Sequence, residues 1–428
     1  MLVTTFTTSA FSLFLPALLQ EFPVSRAEVA LPYSLTMFAW GALQPVAGAW
    51  ADSRGTRPVI LGGILLMSLG FVVMGLAQQL WQVDLGFGLL VGMANAACGT
   101  IVFSLLIAKW FPGASRASAV GLSQGAVPAS PVLMAPILFL VITSFGWRFA
   151  ALGLALLLLV VAFPLAFLGV RDPAWDAGGG ASEPSGIDPG IANAVAGPLP
   201  RDLSRGAPRL FPQTPSAPPQ SSWREALPLL LFPPLRNLFI ARIACGMSAL
   251  MIAHLVAATM EFGFTAADGA FALIVYGATG AVGSLLGGMA ADRWGRVPTL
   301  VATYFVRGVG TMALAVFTIK DSWLFFLAVA LATGPIFATV SVNNVQVFEL
   351  AGAKRAGFIL GMSLVLHQLA AASGPYLAGM VFDWTGTYRA SFFGLAVVLL
   401  LATIPAARTG QPKVAVAVRT AEYAGDMR

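Results

Sequence analysis

Charge is what this sequence has least of: Asp, Glu, Lys and Arg together make up 10% of its 428 residues, while 58% are hydrophobic. Soluble domains carry about 25% charged residues. A soluble fold of this size has too little interior to hide so much apolar surface, so lipid is the expected solvent. Histidine and cysteine are as rare, two of each. Cys98 and Cys245 both sit within apolar stretches and read as small packing residues, which argues against a disulfide framework or a metal site. The two histidines stand 113 residues apart without nearby carboxylates. The clustered His, Asp and Glu of a membrane enzyme are therefore missing, and no metal, cofactor or catalytic activity is expected. No run of Lys and Arg is dense enough to track phosphates, which sets nucleic acid aside. There is no glycine-rich phosphate-binding loop to support ATP-driven work. No secretory signal is expected either, because the apolar run begins at Met1 without a basic segment before it.

What is present is a long series of apolar stretches. A membrane-spanning helix needs about 20 mostly apolar residues. Reading between polar breaks gives spans near 2–19, 28–50, 58–77, 82–108, 116–140 and 147–169, then 238–260, 269–291, 298–318, 322–347, 356–381 and 387–406. The first is short, so either helix 1 is slightly shallow or the natural start lies upstream. The two sets are separated by residues 171–235, whose Pro, Gly, Ser and Ala cannot bury a core and predict a flexible linker. The expected division is a six-helix bundle over 1–170, the linker 171–235, a second six-helix bundle over 236–406 and a polar tail over 407–428.

A charged turn recurs in the two halves. "GAWADSRGTRPVILGG" (48–63) joins the second and third spans, and "GGMAADRWGRVPTLVA" (287–302) joins the eighth and ninth. Gly48 answers to Gly288, Asp52 to Asp292 and Gly55 to Gly295. Glycine gives the turn its tight backbone, and an acidic residue there can bond the N-terminus of a neighbouring helix. Such contacts can be broken and remade, so the turn is a candidate conformational latch: Gly48, Asp52, Arg54, Gly55 and Arg57, with Gly288, Asp292, Arg293, Gly295 and Arg296. Of the 24 Lys and Arg residues, 18 fall on the side of the termini and four (Arg26, Arg148, Lys320 and Arg389) on the other. The positive-inside rule then predicts cytoplasmic termini and cytoplasmic latch turns.

The matched turns make the chain resemble the major facilitator superfamily over nearly its whole length. That family's signature at this place is roughly Gly-x-x-x-Asp-Arg-x-Gly-Arg-Arg. "GMAADRWGRV" (288–297) matches it well, while the first copy has Ser53 where Arg is usual. The resemblance implies an all-α integral membrane fold of twelve transmembrane helices, two six-helix bundles related by pseudo-symmetry and rocking about a midplane site. "LPALLQEFPVSRAEVALPYSL" (15–35), "AKWFPGASRASAVGLSQGA" (108–126), "FGWRFA" (145–150) and "LVLHQLAAASGPYLAGMVFDWTGTY" (364–388) are similar to the bacterial monocarboxylate and oxalate/formate porter branch. That narrower resemblance implies a small carboxylate as cargo, often with a proton, in a bacterial inner membrane. Some members of the branch hold the carboxylate with an Arg in helix 8; the eighth span here has no basic residue.

Ionisable groups at membrane depth are costly and are functional candidates by default. Four stand out: His254 and Arg242 in the seventh span, Arg307 in the ninth and His367 in the eleventh. Arg307 lies about nine residues into its span, roughly 14 Å deep, in a helix that is peripheral in the superfamily and so favours a structural role. Arg242 lies about a turn from the cytoplasmic end of its span, where it can snorkel to headgroups. No Asp or Glu sits at comparable depth. Deep cations without deep carboxylates leave room for an anionic substrate, and a histidine can change charge near neutral pH. Softer candidates on helices that the resemblance implies line the cavity are Asn95, Gln124, Tyr33, Tyr276, Asn343 and Asn344. Each can equally make an interhelical hydrogen bond. The leading expectation is a secondary transporter of a small organic anion, by proton symport or exchange, with the bilayer, the anion and protons as its partners. An exporter of hydrophobic compounds is the alternative, and a non-transporting membrane sensor a remote one.

Overall fold

The computed structural model describes residues 2–110, 115–171, 227–317, 321–351 and 353–410. Most of the expected linker and tail lies outside the described residues. Twelve helices follow one another. In the first half they are α1 (Leu2–Glu21), α2 (Arg26–Arg54), α3 (Thr56–Gly75), α4 (Leu80–Val83, running on through Asp84–Val91, Gly92–Ala97 and Thr100–Trp110), α5 (Ser115–Phe145) and α6 (Trp147–Leu157, running on to Phe163–Gly169). After a short turn of 3-10 helix at Leu227–Leu231 come α7 (Pro233–Met247 and Ala249–Glu261), α8 (Ala266–Trp294), α9 (Arg296–Val316), α10 (Ser322–Thr333 and Ile336–Ala351), α11 (Ala353–Thr385) and α12 (Tyr388–Ala407). Ten of them are long and apolar enough to cross a membrane by length and composition; α1 and α2 complete the set.

The two halves repeat each other at a spacing of 240 residues, well beyond the charged turn. Ser25 with Glu28 starts α2 and Thr265 with Asp268 starts α8, each as a capping box in which side chain and backbone satisfy each other. Glu21, at the end of α1, accepts hydrogen bonds from Trp147 Nε1 (2.6 Å) and from Arg148 at the start of α6. Glu261, at the end of α7, likewise accepts from Thr387 Oγ1 (2.9 Å) and the Tyr388 N–H (3.2 Å) at the start of α12. Arg148 donates to the Ala77 carbonyl beyond α3 (2.7 Å), and Arg389 to the Phe317 carbonyl beyond α9 (2.8 Å). In both halves one carboxylate and one arginine tie helices 1, 3 and 6, or 7, 9 and 12, together at the same end.

The halves meet through α1, α2 and α5 on one side and α7, α8 and α11 on the other. Hydrogen bonds between them run from the end that carries the Ser25 and Thr265 caps down to mid-depth. The Arg26 and Ala27 N–H groups bond Asp383 (2.9 and 3.1 Å), the Tyr376 N–H bonds Ser34 Oγ (3.2 Å), and the Val256 N–H bonds Ser12 Oγ (3.1 Å). Toward the other end, where the Gly55 and Gly295 turns lie, α4 has no substantial packing against α10 or α11 among the described residues. Among the described residues, the capped end is closed and the opposite end is open.

Candidate functional site

The two latch turns share one backbone shape. Gly55 has φ 90° and ψ 159°, and Gly295 has φ 93° and ψ 161°, a region that is essentially open to glycine alone. In the second copy, Arg296 donates to Asp292 (2.8 Å) and to Glu349 near the end of α10 (3.2 Å), pinning the α8–α9 turn to α10. In the first, Arg57 turns instead to α6, donating to the Phe167 carbonyl (2.9 Å) and lying 4.9 Å over its ring. Arg54 lies 5.8 Å over the Trp50 ring, and Arg293 is exposed. The Asp52 side chain lies outside the described residues. A Cβ added at Gly48 or Gly288 would meet nothing within 4 Å.

The deep cations gather inside the second half. Helix α7 begins at Pro233, with proline in its first turn, where a missing N–H costs nothing. That start is five residues earlier than the hydropathy pattern suggests. It sets Arg242 about 14 Å into the helix, rather than about one turn, and the residue is only 1% exposed. Its Nη1 donates to Asn344 Oδ1 (2.8 Å), whereas Nε and Nη2 are buried without a partner. Arg307 is fully buried. It donates to Ser248 Oγ, and its Nη1 approaches Thr339 Oγ1 (3.4 Å) and Cys245 Sγ (3.5 Å); its Nε is unpartnered. Tyr304, a turn before Arg307, donates to the Ala241 carbonyl beside Arg242 (2.6 Å).

Asn343 is buried with both side-chain heteroatoms unpartnered. His367 is half-buried, and its Nδ1 lies 3.5 Å from the Arg242 carbonyl. Gly246 permits this crossing of α7 and α11, since a Cβ there would run into the His367 carbonyl. Among the described residues neither guanidinium has a carboxylate partner. Burying an uncompensated cation costs several kcal/mol. Chemically, Arg242 offers two spare N–H-bearing nitrogens to an acceptor that the described residues do not supply, and a carboxylate is the acceptor that fits a guanidinium fork.

His254 belongs elsewhere. Fully buried near the closed end, its ring nitrogens lie 3.0 Å from the Tyr388 hydroxyl and 2.9 Å from the Pro375 carbonyl. Tyr388 in turn accepts from Arg26 Nη1 (2.9 Å), whose guanidinium stacks 3.8 Å over Phe382. Of the remaining candidates, Asn95 meets Thr7 Oγ1 (3.4 Å) and keeps its Nδ2 unpartnered. Tyr33 packs on Phe11 (5.5 Å) and Tyr276 on Phe337 (6.0 Å). The Gln124 side chain lies outside the described residues. Sequence reasoning passed over Trp40, whose buried Nε1 is unpartnered, and Arg26, Asp383 and Tyr388. Arg26 and Asp383 look like ordinary rim charges until their contact across the halves is seen. A crevice of about 530 Å3 between α1, α5 and α7, bordered by Pro16, Gln20, Glu21 and Trp147, contains none of the candidates.

The family profile of the Major Facilitator Superfamily matches residues 1–256 and 238–422. The chain belongs to the Major Facilitator Superfamily. Membership makes it a multi-pass membrane transporter rather than an enzyme, built on the family's twelve-helix fold. Among its relatives, human monocarboxylate transporter 11 is 28% identical over 398 residues, covering 90% of this chain and 75% of the relative. Monocarboxylate transporter 13 of Rattus norvegicus is 25% identical, covering 91% and 82%. The uncharacterized MFS-type transporter YcxA of Bacillus subtilis is 21% identical, covering 89% and 85%. These relatives support the likeness to the monocarboxylate branch. In fold, the chain matches a D-xylose-proton symporter (TM-score 0.68, 14% identity, 96% and 95% covered). It also matches a bacterial homolog of the human lysosomal transporter Spinster in an inward-facing, unoccupied conformation (TM-score 0.70, 16% identity, 95% of each chain covered).

Proposed function

We propose that this transporter moves a small, monocarboxylate-like organic anion by alternating access, coupled to protons or run as an exchange. The observation that carries the reading is Arg242: a buried guanidinium with two nitrogens unpartnered and, among the described residues, no carboxylate beside it. Asn344 orients that guanidinium, Asn343 adds unpartnered polar atoms on the same helix, and the His367 ring lies against the Arg242 backbone carbonyl. Arg307 adds positive potential from behind. The names of the mammalian relatives agree with a monocarboxylate cargo. The excess of Lys and Arg on the side of the termini supports cytoplasmic termini in a bacterial inner membrane. On that orientation the open end faces the cytoplasm, the bundles over 1–170 and 236–406 rock against each other, the linker tethers them, and the Gly55 and Gly295 turns latch the cytoplasmic end.

The test is uptake of labelled lactate, pyruvate and oxalate into proteoliposomes, with and without an imposed pH gradient. Saturable uptake of at least one acid is expected, driven by an inward proton gradient, with loss of 100-fold or more in Arg242→Gln protein that remains monodisperse. If none of the acids moves, or if Arg242→Gln transports like the parent, the anion reading fails.

A further inference from the structure

With a neutral imidazole, the hydrogen bonds around His254 have one consistent set of directions. The Pro375 carbonyl can only accept, so Nε2 carries the ring proton and donates to it. In that neutral ring Nδ1 can only accept, so the Tyr388 hydroxyl, whose oxygen accepts from Arg26 Nη1, donates to it. In that state the chain of donors runs Arg26 to Tyr388 to His254 to Pro375. Arg26 is the only member from the first half. It stands at the start of α2, whose first two N–H groups bond both oxygens of Asp383. The Arg26 side chain thus reaches His254 through one shared hydroxyl, beside the backbone bonds to Asp383.

We propose that His254 Nδ1 is a proton-binding site whose occupation releases Arg26 and opens the closed end. A proton on Nδ1 needs an acceptor, and the Tyr388 oxygen is the atom that faces it. That oxygen would then receive two cationic donors, imidazolium and guanidinium, while its own hydrogen loses its partner. Arg26 is the group free to leave, because it lies at the rim and is half-buried. The other charged groups on the helices packed around His254 are already engaged. On α7 itself Glu261 holds the start of α12, on α8 Asp268 is in its capping box, and on α1 Glu21 is tied to Trp147 and Arg148. On α11 Asp383 holds the start of α2, and on α12 Arg389 donates to Phe317. The network also departs from the internal repeat. The positions 240 residues away from His254, Arg26 and Asp383 are Phe14, Ala266 and Thr143, so the fold does not require it.

A consequence separates the two histidines. A proton on His254 is incompatible with the closed end, so it cannot be the proton released at the open end with cargo. His254 senses acid on the closed side and favours opening there; any transported proton belongs to another group. This holds whatever the cargo is.

The test uses Ser34→Cys, a position buried between α2 and α11, in purified full-length protein. The two natural cysteines are buried and unpaired. Labelling by a membrane-impermeant maleimide, corrected for the reagent's own pH dependence, is followed from about pH 8 to about pH 4, a window that reaches below the range of an exposed histidine because burial disfavours the charged ring. The corrected rate is expected to rise at least fivefold toward acid, and to stay flat when His254→Gln is added. A flat parent profile overturns the proposal. So does an unchanged rise in His254→Gln, which would assign the effect to Asp383 or Glu261. Tyr388→Phe, which cuts the link without touching the histidine, is expected to label fast at every pH. Slow labelling in that variant at about pH 8 overturns the proposal independently of how His254→Gln folds.

Discussion

Two arginines lie buried in the second half, and their partners assign them different work. Arg242 has one hydrogen bond and two unpartnered nitrogens; Arg307 contacts Ser248, Thr339 and Cys245 and leaves only Nε bare. The groups around Arg307 do not depend on it. Ser248 also donates to the Ala244 carbonyl (3.3 Å) and Thr339 to the Pro335 carbonyl (2.9 Å), so both hydroxyls stay satisfied without the guanidinium. The position 240 residues earlier is Met67, fully buried in the first half. Replacing a buried charge by an apolar side chain of similar size is often neutral or stabilising by about 1–4 kcal/mol. Arg307→Met is therefore expected to raise the melting temperature in detergent by a few degrees, while anion uptake persists with a KM raised severalfold. A lower melting temperature would mean that the three contacts outweigh the desolvation they accompany. The sequence exposes such residues readily, because an ionisable side chain stands out in an apolar run. It does not expose their depth or their partners. Arg242 is deeper than hydropathy implies because Pro233 can begin a helix, and nothing in a linear reading connects Arg26 to Tyr388, 362 positions away.

Among the elements, helix ends are the most legible feature and helix contacts the least. The Ser25 and Thr265 caps, the Gly55 and Gly295 turns and the apolar lengths between them are local signals, so the twelve spans and the two-half repeat follow from the sequence alone. The Glu21 and Glu261 clasps join residues more than 100 positions apart, and only the folded chain reveals that they too repeat. Glycine divides along the same line. Gly295 is fixed by its backbone: alanine there would be held in a region that costs about 1–3 kcal/mol. Gly288, two turns earlier in α8, has ordinary helical geometry and open space around it. Alanine at position 288 relieves the flexibility of glycine in a helix, a gain of up to about 1 kcal/mol. Gly295→Ala is thus expected to lower thermal stability and Gly288→Ala to preserve or raise it. Transport should fall in both, in the second because its face must meet the other half when the open end closes. Full transport in Gly288→Ala would show that this face stays apart throughout the cycle.

At the scale of the whole molecule, symmetry and function separate. Whatever recurs at 240 residues builds the bundle: caps, latch glycines, the carboxylate clasps and, with its arginine one residue out of register, the tie to the carbonyl beyond helix 3 or 9. What fails to recur is where the chemistry gathers. Arg307, Asn343 and His367 stand opposite Met67, Phe103 and Val127, and the Arg26–Tyr388–His254 chain has no counterpart. The two halves touch from the closed end to mid-depth through a small set of bonds, with Ser34 Oγ accepting the Tyr376 N–H among them. Alternating access requires these contacts to break once per cycle, since the cargo must reach the site from that side too. A disulfide between Ser34→Cys and Tyr376→Cys joins α2 to α11 where they already meet, and Cys98 and Cys245 are buried and do not compete. Oxidation of this double variant is expected to stop transport almost completely, and reduction with dithiothreitol to restore it, with binding of the anion from the open side retained in both states. Continued transport by protein shown to be cross-linked would mean that α2 and α11 never part, and the cycle would have to run through the α5–α8 contact alone. That contact is also closely packed, since a Cβ at Gly277 would stand 2.5 Å from the Pro128 carbonyl oxygen. A molecule held along both seams at this end has no second way to open there, and the single disulfide is enough to decide the matter.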